Sequence, residues 1–174
     1  ISTKLYEAAA AEMAEEKAQT VDPAPLIRMI GVDRLDYSKG LPQRLAGYEQ
    51  FLADYPDYCG KVSLLQIAPP TRDNVEAYQD IREEMESTSG RINGRFGTID
   101  WVPVQYMHRA LPRDELAVLY RYSYICLVTP LFDGMNLVAK EFVAAQDPED
   151  PGVLLLSQFA GAAEEMKEAV IINP

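Results

Sequence analysis

The sequence predicts an α/β domain, a doubly wound parallel sheet with helices on both faces. Short apolar runs alternate with longer helix-like stretches along most of the chain, the pattern of repeated βαβ units. The apolar runs are uninterrupted rather than alternating with polar residues, which fits strands covered on both sides. At 174 residues the chain is long enough for one well-cored domain, and residues 1–174 are assigned to a single Rossmann-like unit.

The elements follow in order. Residues 1–20 are rich in Ala, Glu and Lys and predict a leading helix, which Val21-Asp-Pro-Ala-Pro25 ends because proline cannot continue it. Leu26–Val32 predicts the first sheet strand. Pro42–Ala53 predicts a helix, with Pro42 in the first turn where a missing N–H costs little. Lys61–Ile67 predicts a strand and Asn74–Glu86 a helix, closed by a glycine-rich patch over Gly90–Gly97. Trp101–Tyr106 predicts a strand, and Arg113–Tyr122 a helix opened by Pro112. Tyr124–Thr129 (strand), Leu137–Gln146 (helix), Val153–Leu156 (strand), Ala160–Ala169 (helix) and Val170–Ile172 (strand) complete the pattern. No internal repeat is present.

Composition narrows the function classes. The chain is 48% hydrophobic and 25% charged without a low-complexity tract, as in ordinary folded domains. Its apolar runs, such as Ile125–Val128 and Val153–Leu156, are too short to span a bilayer. No basic-then-apolar leader opens the sequence, and Ile1 stands where an initiator methionine would, so a piece of a cytoplasmic protein is expected. A net charge of −11 argues against a nucleic-acid partner, which basic patches would hold. It leaves room for a small phosphorylated ligand, which needs only a few cations and a helix N-terminus. Cys59, Cys126 and His108 are too sparse and ill-spaced for a zinc site, and the cysteines are expected to be free thiols.

In doubly wound sheets ligands sit beyond the carboxyl ends of the strands. The loop after the first strand, Gly31-Val-Asp-Arg-Leu-Asp-Tyr-Ser-Lys-Gly40, carries Arg34 and Lys39. Together they suit a diphosphate, Arg as a planar fork and Lys as a mobile charge; alternatively they pair with Asp33 and Asp36. The loop Pro130-Leu-Phe-Asp-Gly-Met-Asn136 leads into a helix whose free N–H groups can receive an anion. Glu141, in the early turns of that helix, can accept from ribose hydroxyls or simply answer the helix dipole beside a lysine. Arg72, in the loop after the second strand, either reaches a second phosphorylated substrate or is solvated. No Gly-x-Gly-x-x-Gly opens the first helix, which speaks against a dehydrogenase.

Read in order, Arg34-Leu-Asp-Tyr-Ser-Lys-Gly-Leu-Pro42, Tyr78-Gln-Asp-Ile-Arg82, Gly90-Arg-Ile-Asn-Gly94, Asp133-Gly-Met-Asn-Leu-Val-Ala-Lys-Glu141 and Leu156-Ser-Gln-Phe-Ala-Gly-Ala-Ala163 closely resemble the trehalose-6-phosphate synthase family, glycosyltransferase family 20. The resemblance runs from Leu26 to Pro174 and weakly through the leading helix. It implies one half of a GT-B enzyme, the C-terminal donor-binding domain. The N-terminal acceptor domain and the C-terminal helices are expected to lie outside this chain. It further implies transfer of glucose from UDP-glucose to glucose 6-phosphate with retention, without metal or cofactor. By position, Arg34 and Lys39 would hold the donor diphosphate and, with Asp133, form the catalytic set. The backbone of Asp133, Gly134, Met135, Asn136 and Leu137 would cradle phosphate and sugar, with Asp133 also on glucose hydroxyls. Glu141 would take the ribose, Leu116 and Val138 the uracil, and Arg72 the acceptor phosphate. The chain alone is expected to bind donor without turnover, and a homo-oligomer is compatible with the family. Two other readings stand beside this one: a non-catalytic nucleotide-binding scaffold, and a relative using another donor or acceptor. Three positions depart from the family pattern: Phe132 replaces an Arg, Tyr124 an Asp, and Cys126 a smaller residue. Phe132 and Tyr124 are expected to pack on each other.

Overall fold

Among the described residues, six strands form one sheet in the order β3-β2-β1-β4-β5-β6. They are β1 Ile27–Val32, β2 Val62–Ile67, β3 Val104–Met107, β4 Ile125–Val128, β5 Val153–Ser157 and β6 Val170–Ile172. The computed structural model describes residues 26–70 and 76–174. The predicted leading helix over 1–20, the break at 21–25 and Arg72 lie outside the described residues. Every strand pair is parallel, with Ile27 to Val32 facing Val62 to Ile67 one for one. Four helices connect them: α1 Leu41–Asp54, α2 Glu76–Phe96, α3 Arg113–Arg121 and α4 Leu137–Ala145. The chain builds outward from β1 through β2 and β3, then returns to the other side of β1 for β4, β5 and β6.

Alternation along each strand sorts the apolar side chains into two cores, because successive residues point to opposite faces. Leu64 and Val62 of β2 and Leu127 of β4 face α1 and α2, joining Leu41, Leu45, Tyr48, Leu52, Ile81, Met85 and Ile92. Ile30 and Val32, Leu65 and Ile67, and Cys126 and Val128 face α3 and α4, joining Tyr120, Ala139 and Phe142. Leu41, Leu45, Tyr48 and Leu52 follow helical spacing and give α1 one buried stripe. Cys59 and Cys126 are separate thiols, the latter deep in the α3/α4 core.

Four expectations are corrected. The glycine-rich patch does not end the second helix: α2 runs to Phe96 through Gly90 and Gly94. Its buried stripe, Ile81, Met85, Ser89 and Ile92, continues past Gly90, and that packing outweighs about 1 kcal/mol of propensity lost per glycine. Ala160–Ala169 is not an α-helix but a short 3-10 turn, Gly161–Glu164, because the chain must turn again before it enters β6 at Val170; its first N–H groups, Gly161 and Ala162, donate to the loop before α4. Phe132 and Tyr124 do not pack together. They flank opposite ends of β4, the Tyr124 N–H donating to the Arg28 carbonyl and the Phe132 N–H to the Ser38 carbonyl. The third strand also starts later than expected, at Val104. Pro103 cannot donate to the ladder, and Trp101 instead plugs the core with its indole N–H on the Val62 carbonyl at 2.7 Å. Among the described residues no helix is long and apolar enough to cross a membrane.

A methyl group added at Gly90 or Gly94 meets no atom within 4 Å. Gly90→Ala and Gly94→Ala should therefore each stabilise the domain by about 0.5–1 kcal/mol in urea unfolding. Destabilisation by either would show that the helix breaks there.

Candidate functional site

Strand order reverses between β1 and β4, so the loops leaving their carboxyl ends diverge over opposite faces and leave a crevice. The β1 loop is shaped by Asp36, whose carboxylate accepts from the Ser38 N–H at 2.8 Å and the Ser38 hydroxyl at 2.7 Å. This caps the 3-10 turn Tyr37–Lys39, and Gly40 then reverses the chain into α1 with φ of 65°. A side chain at Gly40 would also strike the Thr129 carbonyl, 2.5 Å from where its Cβ would lie.

The two loops are stitched together. The Ser38 carbonyl accepts from the N–H groups of Leu131 (2.7 Å) and Phe132 (3.1 Å). Lys39 Nζ donates to Asp133 Oδ2 at 2.7 Å, both side chains about 15% exposed. Asp133 also accepts from Asn136 Nδ2 at 3.0 Å and from the Met135 N–H at 3.3 Å. Burial alone would raise the Asp133 carboxyl; the Lys39, Asn136 and Met135 hydrogen bonds and the Lys39 charge overcome it and hold the group below its ordinary value. Asn136 takes φ of 72° and caps α4 by accepting from the Ala139 N–H at 3.0 Å. That backbone strain sits where the chain must present the helix N-terminus to the crevice.

The far side of the β4 loop rests on the segment after β5. The Asp133 N–H donates to the Phe159 carbonyl, and the Asp133 and Met135 carbonyls accept from Gly161 and Ala162 N–H at 2.8 Å each. A Cβ on Gly161 would fall 2.1 Å from the Gly134 carbonyl oxygen. Gly161 is thus required for this close approach.

Eight of the expected site residues line one cavity of about 450 Å3: Arg34, Lys39, Asp133, Met135, Asn136, Leu137, Val138 and Glu141. Arg34 is exposed and makes no ion pair among the described residues, and neither cation pairs with Asp33 or Asp36. Lys140, beside Glu141, bonds Glu165 at 2.7 Å. Leu116 lines a neighbouring cavity of about 420 Å3 between α3 and α4, which shares Glu141 with the first. Gly134 is in the loop but outside the cavity lining, and Arg72 lies outside the described residues. Among the described residues no three His, Cys, Asp or Glu side chains converge as a metal site would require. Sequence reasoning missed the role of Gly161, although the Leu156–Ala163 motif contained it. It missed Arg44 altogether, because a charge on a helix with acidic loops nearby reads as surface.

Two cations and a helix N-terminus thus meet at the switch point of a doubly wound parallel sheet, the place where α/β domains of this class bind their ligands. The chain belongs to glycosyltransferase family 20, which it matches over residues 2–174. It is 58% identical over 146 residues to the trehalose-6-phosphate synthase of Salmonella arizonae, covering 84% of this chain and 31% of that protein. Among solved structures, the Burkholderia xenovorans α,α-trehalose-phosphate synthase (UDP-forming) in complex with glucose-6-phosphate superposes with a TM-score of 0.84 at 56% identity. That match covers 86% of this chain and 33% of the other. An E. coli relative bound with UDP-2-fluoro glucose superposes with a TM-score of 0.84 at 50% identity, over 92% of this chain and 38% of the other. The chain thus spans about a third of the length of these relatives.

Two measurements check the loop. The Asp133 carboxyl is depressed in the folded state below its ordinary value, so its contribution is fully present above the unfolded pKa and is lost as pH falls through the folded one. The stability gap between wild type and Asp133→Asn should be constant from about pH 5 to 8 and shrink below about pH 4. Gly161→Ala should cost about 1–3 kcal/mol in urea unfolding, since a backbone must move to admit it.

Proposed function

We propose that this chain is the donor-binding domain of a retaining glucosyltransferase that makes trehalose 6-phosphate from UDP-glucose and glucose 6-phosphate. The observation that carries it is the convergence of Arg34, Lys39, the α4 N-terminus and Glu141 on one cavity at the switch point. Arg34 and Lys39 take the diphosphate, Arg34 through its planar fork. The N–H groups at the start of α4 add donors and the positive end of the helix dipole. Glu141 accepts from the ribose hydroxyls, and Leu116, across Glu141, and Val138 flank the base. Asp133, held charged by Lys39, accepts from the sugar hydroxyls. The relative bound with UDP-2-fluoro glucose supports the donor class, and the one in complex with glucose-6-phosphate supports the acceptor.

The chemistry asked of this side is charge stabilisation. As the glycosidic bond breaks, negative charge gathers on the departing diphosphate, and donors already aimed there lower the barrier without reorganising. Arg34, Lys39 and the helix N-terminus meet that need. The acceptor phosphate is assigned to Arg72 by the family resemblance, and retention of configuration rests on the same resemblance.

Calorimetry on the 174-residue chain should show UDP binding between micromolar and millimolar, with GDP and ADP weaker. Lys39→Ala should weaken UDP about tenfold and leave uridine unchanged, since one charge-assisted contact is worth about 1.4 kcal/mol or more. No binding by any of the three nucleotides would overturn the assignment. The chain alone should form no trehalose 6-phosphate; steady product formation would refute that part.

A further inference from the structure

We propose that Arg44, which does not line the cavity, is a positioning residue that sets the spacing between the two phosphate-facing loops; this rests on the donor-site reading above. Arg44 projects from α1 with its side chain 1% exposed. Its Nη1 donates to Asp33 Oδ2 at 2.7 Å and to Gln66 Oε1 at 2.8 Å, and its Nε donates to Thr129 Oγ1 at 2.9 Å. Those three acceptors lie within or just beyond the ends of three adjacent strands. Asp33 follows the last residue of β1 and precedes Arg34, Gln66 is in β2, and Thr129 follows the last residue of β4 and opens the loop to Asp133. One planar group therefore ties together the roots of the loop that carries Lys39 and the loop that carries Asp133.

The backbone is built around it. A Cβ at Gly31 would lie 2.3 Å from Arg44 Nη1 and 2.6 Å from Gln66 Oε1, so this β1 position has no room for a side chain. Stability alone is a poor reason for such an arrangement. A buried ion pair pays a desolvation penalty that its Coulomb attraction barely offsets, and apolar residues of the same volume often serve as well. Arg44 Nη2 is also buried without a partner. What the guanidinium supplies that an apolar group cannot is direction: fixed donors that specify where Asp33 and Thr129 stand relative to each other. Diphosphate binding depends on that spacing, because Arg34, Lys39 and the α4 N-terminus must reach the same oxygens from opposite loops, and small misplacements of positioning groups are costly.

The deciding variant is Thr129→Val, which keeps shape and the Arg44–Asp33 pair but removes the tie to the β4 loop. Thr129→Ser restores the acceptor, and Arg44→Lys keeps the charge but loses the fork. UDP and uridine affinities are measured on each, with urea unfolding alongside. Thr129→Val should weaken UDP about tenfold with uridine unchanged, and Thr129→Ser should recover wild-type affinity. Arg44→Lys, where it folds, should behave as Thr129→Val does. A Thr129→Val protein that loses stability while keeping the wild-type ratio of UDP to uridine affinity would make Arg44 purely structural and overturn the proposal. Wild-type protein that does not bind UDP would instead remove the donor-site reading itself.

Discussion

Because all six strands run parallel, their carboxyl ends share one edge, and each connection leaving that edge must cross one face of the sheet or the other. With helices on both faces, the loops diverge only where the strand order reverses. That place is the gap between β1 and β4, and everything of chemical interest is arranged about it. Arg34 and Lys39 leave β1, and Asp133 and α4 leave β4. The buried Arg44 fork spans the floor between them. The segment after β5, unable to form its own helix, becomes the outer wall of the β4 loop. A single topological constraint thus explains why residues about a hundred positions apart in sequence line one cavity.

Two cations, Arg34 and Lys39, face this point although the chain as a whole is acidic. The chain carries a net charge of −11, yet the loop acids are already committed: Asp33 to Arg44, Asp36 to Ser38, and Asp133 to Lys39, Asn136 and Met135. Lys39 spends one of its three donors on Asp133, which orients the ammonium rather than exhausting it. The pair is partly buried, so it escapes the screening that makes surface ion pairs nearly worthless, without the full desolvation cost of a buried one. Arg34, exposed at the mouth and without an ion pair among the described residues, is left available to an anion.

How much was legible in the sequence depends on how local the determining physics was. The strands and α1, α3 and α4 could be read within a residue or three, since apolar runs, Pro42 and Pro112 are local signals. The candidate site was largely legible for a related reason: the fold class alone directs attention to strand ends, and the charged and glycine residues there stand out. The failures were tertiary. Gly90 and Gly94 reads as a break until Ile81, Met85 and Ile92 are seen packed against the sheet. Ala160–Ala169 has helix-forming composition, but the chain must turn within it to enter β6 at Val170. Arg44 shows the same limit at a single residue, because nothing in Leu-Pro-Gln-Arg-Leu announces a buried charge whose partners lie in three separate strands or strand ends.

The departures from the family pattern can be weighed by what each position holds in place. Phe132 is 75% exposed, and among the described residues it bonds to the loop through its backbone N–H on the Ser38 carbonyl. Replacing an arginine there changes charge and bulk at the mouth of the crevice and leaves the loop frame intact, because that frame is made of backbone groups and the side chains of Lys39, Asp133 and Asn136. Tyr124 lies at the amino end of β4, away from the crevice, where its backbone keeps the sheet ladder whatever side chain it bears. Cys126 is fully buried on the α3/α4 face of β4, and burial pushes its thiol up, so it packs as a small neutral group. The three side chains therefore lie outside the bonds that frame the two loops, which are held from beneath, by Arg44 and the close approach at Gly161, rather than from the rim.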